Sequence, residues 1–230
     1  MKQTLIGPLK KLAVKLKARR PSNRDGSRKE HKYQGNVASE YLRRRAHKPD
    51  WHEEQLVLGS LLSRLPDQLK VLDIPFGTGR FVPFYAAKNF TCIGVDISAE
   101  MLELAKSYNR QDMASFETAT GDATRLQFAD GAVDLVVSYR FLGYILTVDR
   151  AKEALRELAR VSASHLILQL QYLKDGEPRG NQDKLGHKVV WSELSEFLKE
   201  IGLEIVEKAD ISSKDQYQNT VILARKMTPS

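Results

Sequence analysis

Residues 71–81 read VLDIPFGTGRF, and no other stretch of the 230-residue chain limits the fold so sharply. A short apolar run of strand length ends at Asp73, passes through Gly77 and Gly79, and continues from Phe81 into a helical pattern. Strand, glycine loop and helix in that order form the opening unit of a parallel sheet wrapped by helices. The alternation continues along the chain. Strands are expected near 70–74, 91–96, 115–119, 133–139 and 165–171. Short helices are expected over Asn36–Arg45 and from Asp50, whose carboxylate would cap the helix with Glu53 three residues on. Leu58, Leu61, Leu62 and Leu65 form that second helix's apolar stripe. A helix opened by Ser98 would turn Met101, Leu102, Ala105 and Tyr108 inward. Others would span 149–161 and begin at Ser192, the last stopping at Gly202. Two final strands, 203–210 and 218–225, have no helix between them and should pair antiparallel at a sheet edge. The expected fold is α/β: a doubly wound, mostly parallel seven-stranded sheet with an antiparallel C-terminal hairpin.

Three ligand classes use such a loop. A P-loop requires Lys-Ser/Thr after the last glycine, where Arg80 and Phe81 stand, so a nucleoside triphosphate is excluded. A dinucleotide loop wants a third glycine where Val82 stands. Charge separates the remaining classes. Asp73 ends the first strand, Asp96 ends the second and Asp122 follows the third, and the carboxyl ends of adjacent strands share one crevice. Three acids there would repel a pyrophosphate. They suit a ligand with a ribose, an adenine amino group, an ammonium and a sulfonium, which describes S-adenosylmethionine. Its one small carboxylate can be received by loop amides and a helix N-terminus.

Four ordered motifs carry a family resemblance: LDIPFGTGR at 72–80, GVDISAEML at 94–102, GDATRLQFADGAVDLVVS at 121–138 and EFLKEIGLEIVE at 196–207. Over about residues 33–226 the chain resembles the class I S-adenosylmethionine-dependent methyltransferases of small-molecule type, with their Rossmann-like fold. The first motif departs from the usual D-x-G-x-G-x-G at Pro75, and Phe76 stands where Pro–Cys–Gly–Thr–Gly variants carry Cys. The resemblance implies that Asp73 orients the methionine ammonium and that Gly77 and Gly79 let backbone approach the ligand. It implies that Asp96 accepts from both ribose hydroxyls, that Ile97 and Met101 pack on adenine, and that Asp122 with the Ala123 amide reads the adenine edge. Arg80 would reach the methionine carboxylate. Tyr33, Tyr41 and Trp51 lie on segments that close over the ligand in such enzymes. There they would either face the sulfonium as an aromatic wall or pack the lid on the body.

On the acceptor side, the loop SYRFLGYI after the fourth strand lacks the Asn/Asp–Pro–Pro–Tyr/Phe motif of many amide N-methyltransferases. Relatives often carry histidines where Gly143 and Tyr144 stand, so no histidine base transfers to that loop. Tyr139, Arg140 and Tyr144 are the candidates for contact with the acceptor. Arg140 suits a carboxylate or phosphate, or else serves a structural ion pair. His187 in LGHKVVW reads either as a base or acceptor contact or as an ordinary loop residue. The expected activity is methyl transfer to a small-molecule, lipid or glycolipid-precursor acceptor. The alternative is a non-catalytic protein that binds S-adenosylmethionine and serves assembly or regulation.

Charge divides the chain at about residue 50. Residues 1–50 carry a balance of +11 and the remainder −4, within a total of +7. A nucleic-acid surface on the body is therefore not expected. Leu5, Leu9, Leu12 and Leu16 line one helical face among Lys10, Lys11, Lys15 and Lys17. Residues 1–32 form a basic amphipathic arm and linker, ahead of a domain spanning 33–230. The arm suits an anionic membrane surface, packing on the body or a partner, or an organelle-import leader. Arg43, Arg44 and Arg45 read as a solvated helix face or as a contact to a phosphorylated or lipid-linked acceptor. One cysteine, Cys92, and no run near the ~18 apolar residues of a membrane span suit a cytoplasmic protein, peripheral at most.

Overall fold

The computed structural model describes residue 45, residues 48–212 and residues 216–227. The basic arm, the helix expected over 36–45 apart from Arg45, Tyr33 and Tyr41 lie outside the described residues. Five strands and their helices alternate first: α1 (Pro49–Leu62), β1 (Lys70–Asp73), α2 (Val82–Ala87), β2 (Thr91–Asp96), α3 (Ala99–Tyr108), β3 (Phe116–Thr120), β4 (Val133–Ser138), α4 (Val148–Val161) and β5 (Ser162–Leu173). Then follow a short helix α5 (Leu185–Lys188), α6 (Trp191–Glu200), β6 (Leu203–Ile211) and β7 (Tyr217–Lys226).

These strands form one seven-stranded sheet in the order β3-β2-β1-β4-β5-β7-β6. The first five are parallel, and β7 runs antiparallel between β5 and β6. The α/β fold with its antiparallel C-terminal hairpin is thus observed. Side chains alternate across the sheet. Leu72, Val136, Leu166 and Leu168 pack with α4 and α6, whereas Val71, Leu135, Val137 and Ile167 pack with α1, α2 and α3. Helix α4 shows why the covers form: Ala151, Ala154, Leu155, Leu158 and Ala159 recur at helical spacing and are all buried. Each buried leucine contributes roughly 1.5–3 kcal/mol.

Two local expectations differ from the structure. Helix α1 starts at Pro49 with Lys48 before it and no side-chain cap. Asp50 sits inside the first turn, its carboxylate taken by Arg45 and Arg140 rather than by backbone amides. In α3, Ser98 does cap by accepting from the Met101 amide, and Met101, Leu102 and Ala105 are buried. Tyr108 instead faces outward, at 55% exposure, on the last residue of the helix.

The strand order reverses at β1. From there β2 and β3 lie to one side, β4 and β5 to the other, so the loops leaving β1 and β4 diverge and leave a crevice at their carboxyl ends.

Candidate functional site

The loop after β1 is shaped by where its bulky residue goes. The Phe76 ring lies over Gly94 of β2, so close that a Cβ on Gly94 would come within 2.4 Å of it. It also meets Phe116 of β3 at 5.6 Å between centroids. Phe76 is therefore part of the core beneath the loop. Gly77 and Gly79 hold φ of +57° and +66°, a backbone region that side-chain-bearing residues rarely adopt. Asn109 fastens the turn from outside, its Nδ2 donating to the Thr78 carbonyl at 3.2 Å.

Asp96 closes the loop from the β2 side. Its Oδ2 accepts from the Gly77 amide at 2.8 Å, and its Oδ1 accepts from the Ser98 amide at 2.9 Å. Burial raises its carboxyl above the ordinary range against these amide contacts. Asp73, at the end of β1, is buried and accepts from the Tyr85 hydroxyl at 3.0 Å. Burial pushes its carboxyl up to about 8, with Tyr85 and the Arg80 charge opposing the rise and Asp96 adding to it. No ion pair to Asp73 exists among the described residues. Along the same rim Ile97 is half-exposed, and the Met101 methyl stands 3.7 Å from the position a Gly77 Cβ would take. Asp122 turns Oδ1 to the Thr124 amide and hydroxyl and Oδ2 to Arg150, which together hold its carboxyl low despite partial burial. Ala123 beside it is buried.

A polar network borders the crevice on the β4 side, centred on a residue that sequence reasoning missed. Glu54 of α1 is fully buried. Its Oε2 receives Arg80 Nη2 at 2.7 Å and Arg140 Nε at 3.0 Å. Its Oε1 receives Arg140 Nη2 at 2.6 Å and Gln169 Nε2 at 2.9 Å. The signal was faint but present: Glu54 falls three after Trp51 and four before Leu58, inside the buried stripe of α1. Tyr85, Asn109 and Gln169 also escaped the sequence reading.

The Arg80 guanidinium lies 4.3 Å from the Trp51 ring and 4.3 Å from the Phe81 ring. Trp51 thus faces a cation that belongs to the chain. Among the described residues Arg80 Nη1 is buried without a partner, and so are the hydroxyls of Ser138 and Tyr139 at the end of β4.

Of the acceptor-side candidates, Arg140 and Tyr144 meet on Gln169, whereas His187 is engaged by Tyr217. Arg140 is committed to Glu54 and Asp50, and its amide donates to Gln169 Oε1. The Tyr144 hydroxyl accepts from Gln169 Nε2 at 3.0 Å, and burial raises its phenol well above the ordinary value. His187, on α5, shares a 2.8 Å hydrogen bond between Nδ1 and the Tyr217 hydroxyl. Burial and Lys184 lower its pKa. Helix α5 does dock on the loop after β4, through the Gly186 amide and the Gly143 carbonyl.

With this geometry in place, the chain can be set beside known proteins. Residues 71–165 match the family model described as "Methyltransferase domain". That stretch is similar to a methyltransferase domain. Its boundaries take in β1 to β4, α4 and the start of β5, hence the loop, both buried aspartates and the Arg140 segment. Outside it, α1 contributes Glu54 and Trp51, both against Arg80, to the rim of the crevice. Among curated relatives, the biotin biosynthesis bifunctional protein BioHC of Cellvibrio japonicus is 33% identical over 111 residues, 47% of this chain and 21% of that protein. A malonyl-[acyl-carrier protein] O-methyltransferase of Pectobacterium atrosepticum is 31% identical over 118 residues, 50% of this chain and 44% of that one. The chain therefore spans less than half the length of either. In fold it resembles the magnesium protoporphyrin IX methyltransferase of Synechocystis PCC 6803, solved with bound SAH: TM-score 0.66, 19% identity, 84% of this chain and 96% of that one.

Proposed function

We propose that the protein transfers a methyl group from S-adenosylmethionine to a small-molecule, lipid or glycolipid-precursor acceptor. The observation that carries this reading is the buried Asp73 carboxyl, which has no basic partner among the described residues and lies at the end of β1 beside a glycine loop. A carboxyl in that setting suits an ammonium. The unpartnered Arg80 Nη1 and Tyr139 hydroxyl suit the carboxylate of the same amino acid. Asp96 keeps lone pairs beyond its two amide contacts for ribose hydroxyls. Ile97 and Met101 offer adenine an apolar face, and Asp122 with Ala123 its edge.

When bound, the cofactor supplies an electrophilic methyl group whose leaving group is a neutral thioether. The chain's task is alignment and exclusion of water, worth several kcal/mol in general. Tyr144 and His187 are both engaged in the free protein. Tyr144 with its raised phenol suits a hydrogen-bonding contact, and His187 with its lowered pKa can accept a proton near neutrality once Tyr217 yields it. Carrier-bound and small acceptors both have counterparts among the similar proteins, a malonyl-[acyl-carrier protein] O-methyltransferase and a magnesium protoporphyrin IX methyltransferase.

Calorimetry with S-adenosylmethionine and S-adenosylhomocysteine tests the reading. Both should bind, and Asp96→Ala should weaken each at least about tenfold, the scale of lost charged hydrogen bonds. Unchanged affinity would sink the ribose assignment. Methyl label should pass into either the lipid or the aqueous fraction of a cell extract. Tight binding with no transfer into any fraction would favour the assembly or regulatory alternative.

A further inference from the structure

Three guanidinium groups and two carboxylates meet between α1 and the carboxyl end of β4. Arg45, Arg80 and Arg140 carry side-chain exposures of 14%, 10% and 20%, and they share Asp50 and Glu54. Arg45 Nε and Arg80 Nη1 are buried and have no acceptor. Asp73 also acts on Arg80 through space but forms no ion pair with it. Among the described residues the network sets three positive charges against two negative ones and leaves two guanidinium nitrogens without an acceptor, so that as described it is one anion short.

Asp50 marks where an anion can sit. Its Oδ2 alone accepts from Arg140 Nη2 at 2.6 Å and from Arg45 Nη2 at 3.0 Å, and its side chain is 34% exposed. Glu54 is sealed and fully used, so the exchangeable position is the Asp50 one. Arg140 holds φ of +55°, a rare conformation for a residue with a side chain, at the second position beyond β4. Its guanidinium is 5.8 Å from the Tyr144 ring, on the segment assigned to the acceptor.

We propose that Arg140 and Arg45 form the receptor for an anionic group of the acceptor, a carboxylate or a phosphate, which takes the place Asp50 holds between them. Asp50 is then a resident competitor, keeping the two guanidiniums apart and oriented until the acceptor arrives. The inference rests on the methyl-transfer reading only in naming the ligand an acceptor, since anion binding can be measured without turnover.

The test uses the full chain saturated with S-adenosylhomocysteine and titrates succinate and inorganic phosphate separately by calorimetry. Asp50→Asn should tighten one of the two about tenfold, and Arg140→Gln should weaken it at least about tenfold. Affinity for S-adenosylhomocysteine should stay within about twofold of wild type in Asp50→Asn, because Asp50 touches Arg45 and Arg140 and not Arg80. A response to succinate assigns a carboxylate, and a response to phosphate assigns a phosphate. Arg45→Gln should weaken the anion as well and serves if Arg140→Gln does not fold. Equal anion affinity in wild type and Asp50→Asn overturns the proposal, as does failure of both anions to bind. So does an anion expelled by S-adenosylhomocysteine, which would be bound at Arg80. If S-adenosylhomocysteine itself fails to bind, the methyl-transfer reading falls, and the anion titration run without it still decides this one.

Discussion

Asp73 is buried with a phenol as its hydrogen-bond partner, and the burial governs its titration. In the unfolded chain an aspartate titrates near ~3.9, whereas burial moves the folded group to about 8. Between those values the folded state holds the extra proton, so stability falls as pH rises, by up to about 1.4 kcal/mol per pH unit from this group. Asp73→Asn removes that dependence. Denaturation between pH 5 and 8 should show wild type losing stability relative to the variant as pH rises; parallel profiles would contradict the assignment. A cation bound beside Asp73 at pH 7 should expel the proton, visible as a heat that varies with buffer. Glu54 has charged partners instead. Its four contacts answer two buried guanidiniums, and Glu54→Ala should cost about 3–5 kcal/mol in urea unfolding, far above the ~1 kcal/mol of a surface pair.

At the scale of elements, the contact between the β1 loop and β2 explains a departure that the sequence only displayed. Phe76 is large because Gly94 is small: the ring occupies the space a β2 side chain would fill and leans on Phe116. Gly94→Ala should cost about 1–3 kcal/mol through overpacking. Phe76→Ala should cost about 3–5 kcal/mol through the cavity. The double variant should cost less than their sum, with a coupling of about 0.5–3 kcal/mol in chemical denaturation; strict additivity would mean the two do not share the space. Much of this level was legible beforehand. Strands announce themselves by β-branched runs such as VDLVVS, and α4 by its spacing. Asp73, Gly77 and Asp96 are local in sequence, so the motif carried them. The Glu54 network was not legible, because its partners stand as far as 115 residues away and a glutamate on a helix ordinarily faces water. Asp50 was misread for a related reason: the distant Arg140 outcompetes the local amides.

The whole molecule divides its charge unevenly, with +11 in residues 1–50 and −4 in the rest. No helix among the described residues is long and apolar enough to cross a membrane. Attachment of residues 1–20 to an anionic surface is an expectation from their sequence, with each cation near such a surface contributing about 1 kcal/mol. Full-length protein should sediment with anionic liposomes and lose that at high salt, while a chain lacking residues 1–30 should stay in the supernatant. Equal pelleting of both would remove the membrane from the account. A further consequence concerns how the two halves of the crevice communicate. Arg80, on the β1 side, and Arg140, on the β4 side, lean on the same buried carboxylate. A ligand that draws one guanidinium away from Glu54 strengthens the hold of Glu54 on the other. By thermodynamic reciprocity, the first ligand alters the affinity for the second by the same factor that the second alters the first. The coupling between cofactor and acceptor would then be written into one glutamate side chain, whichever of the two arrives first.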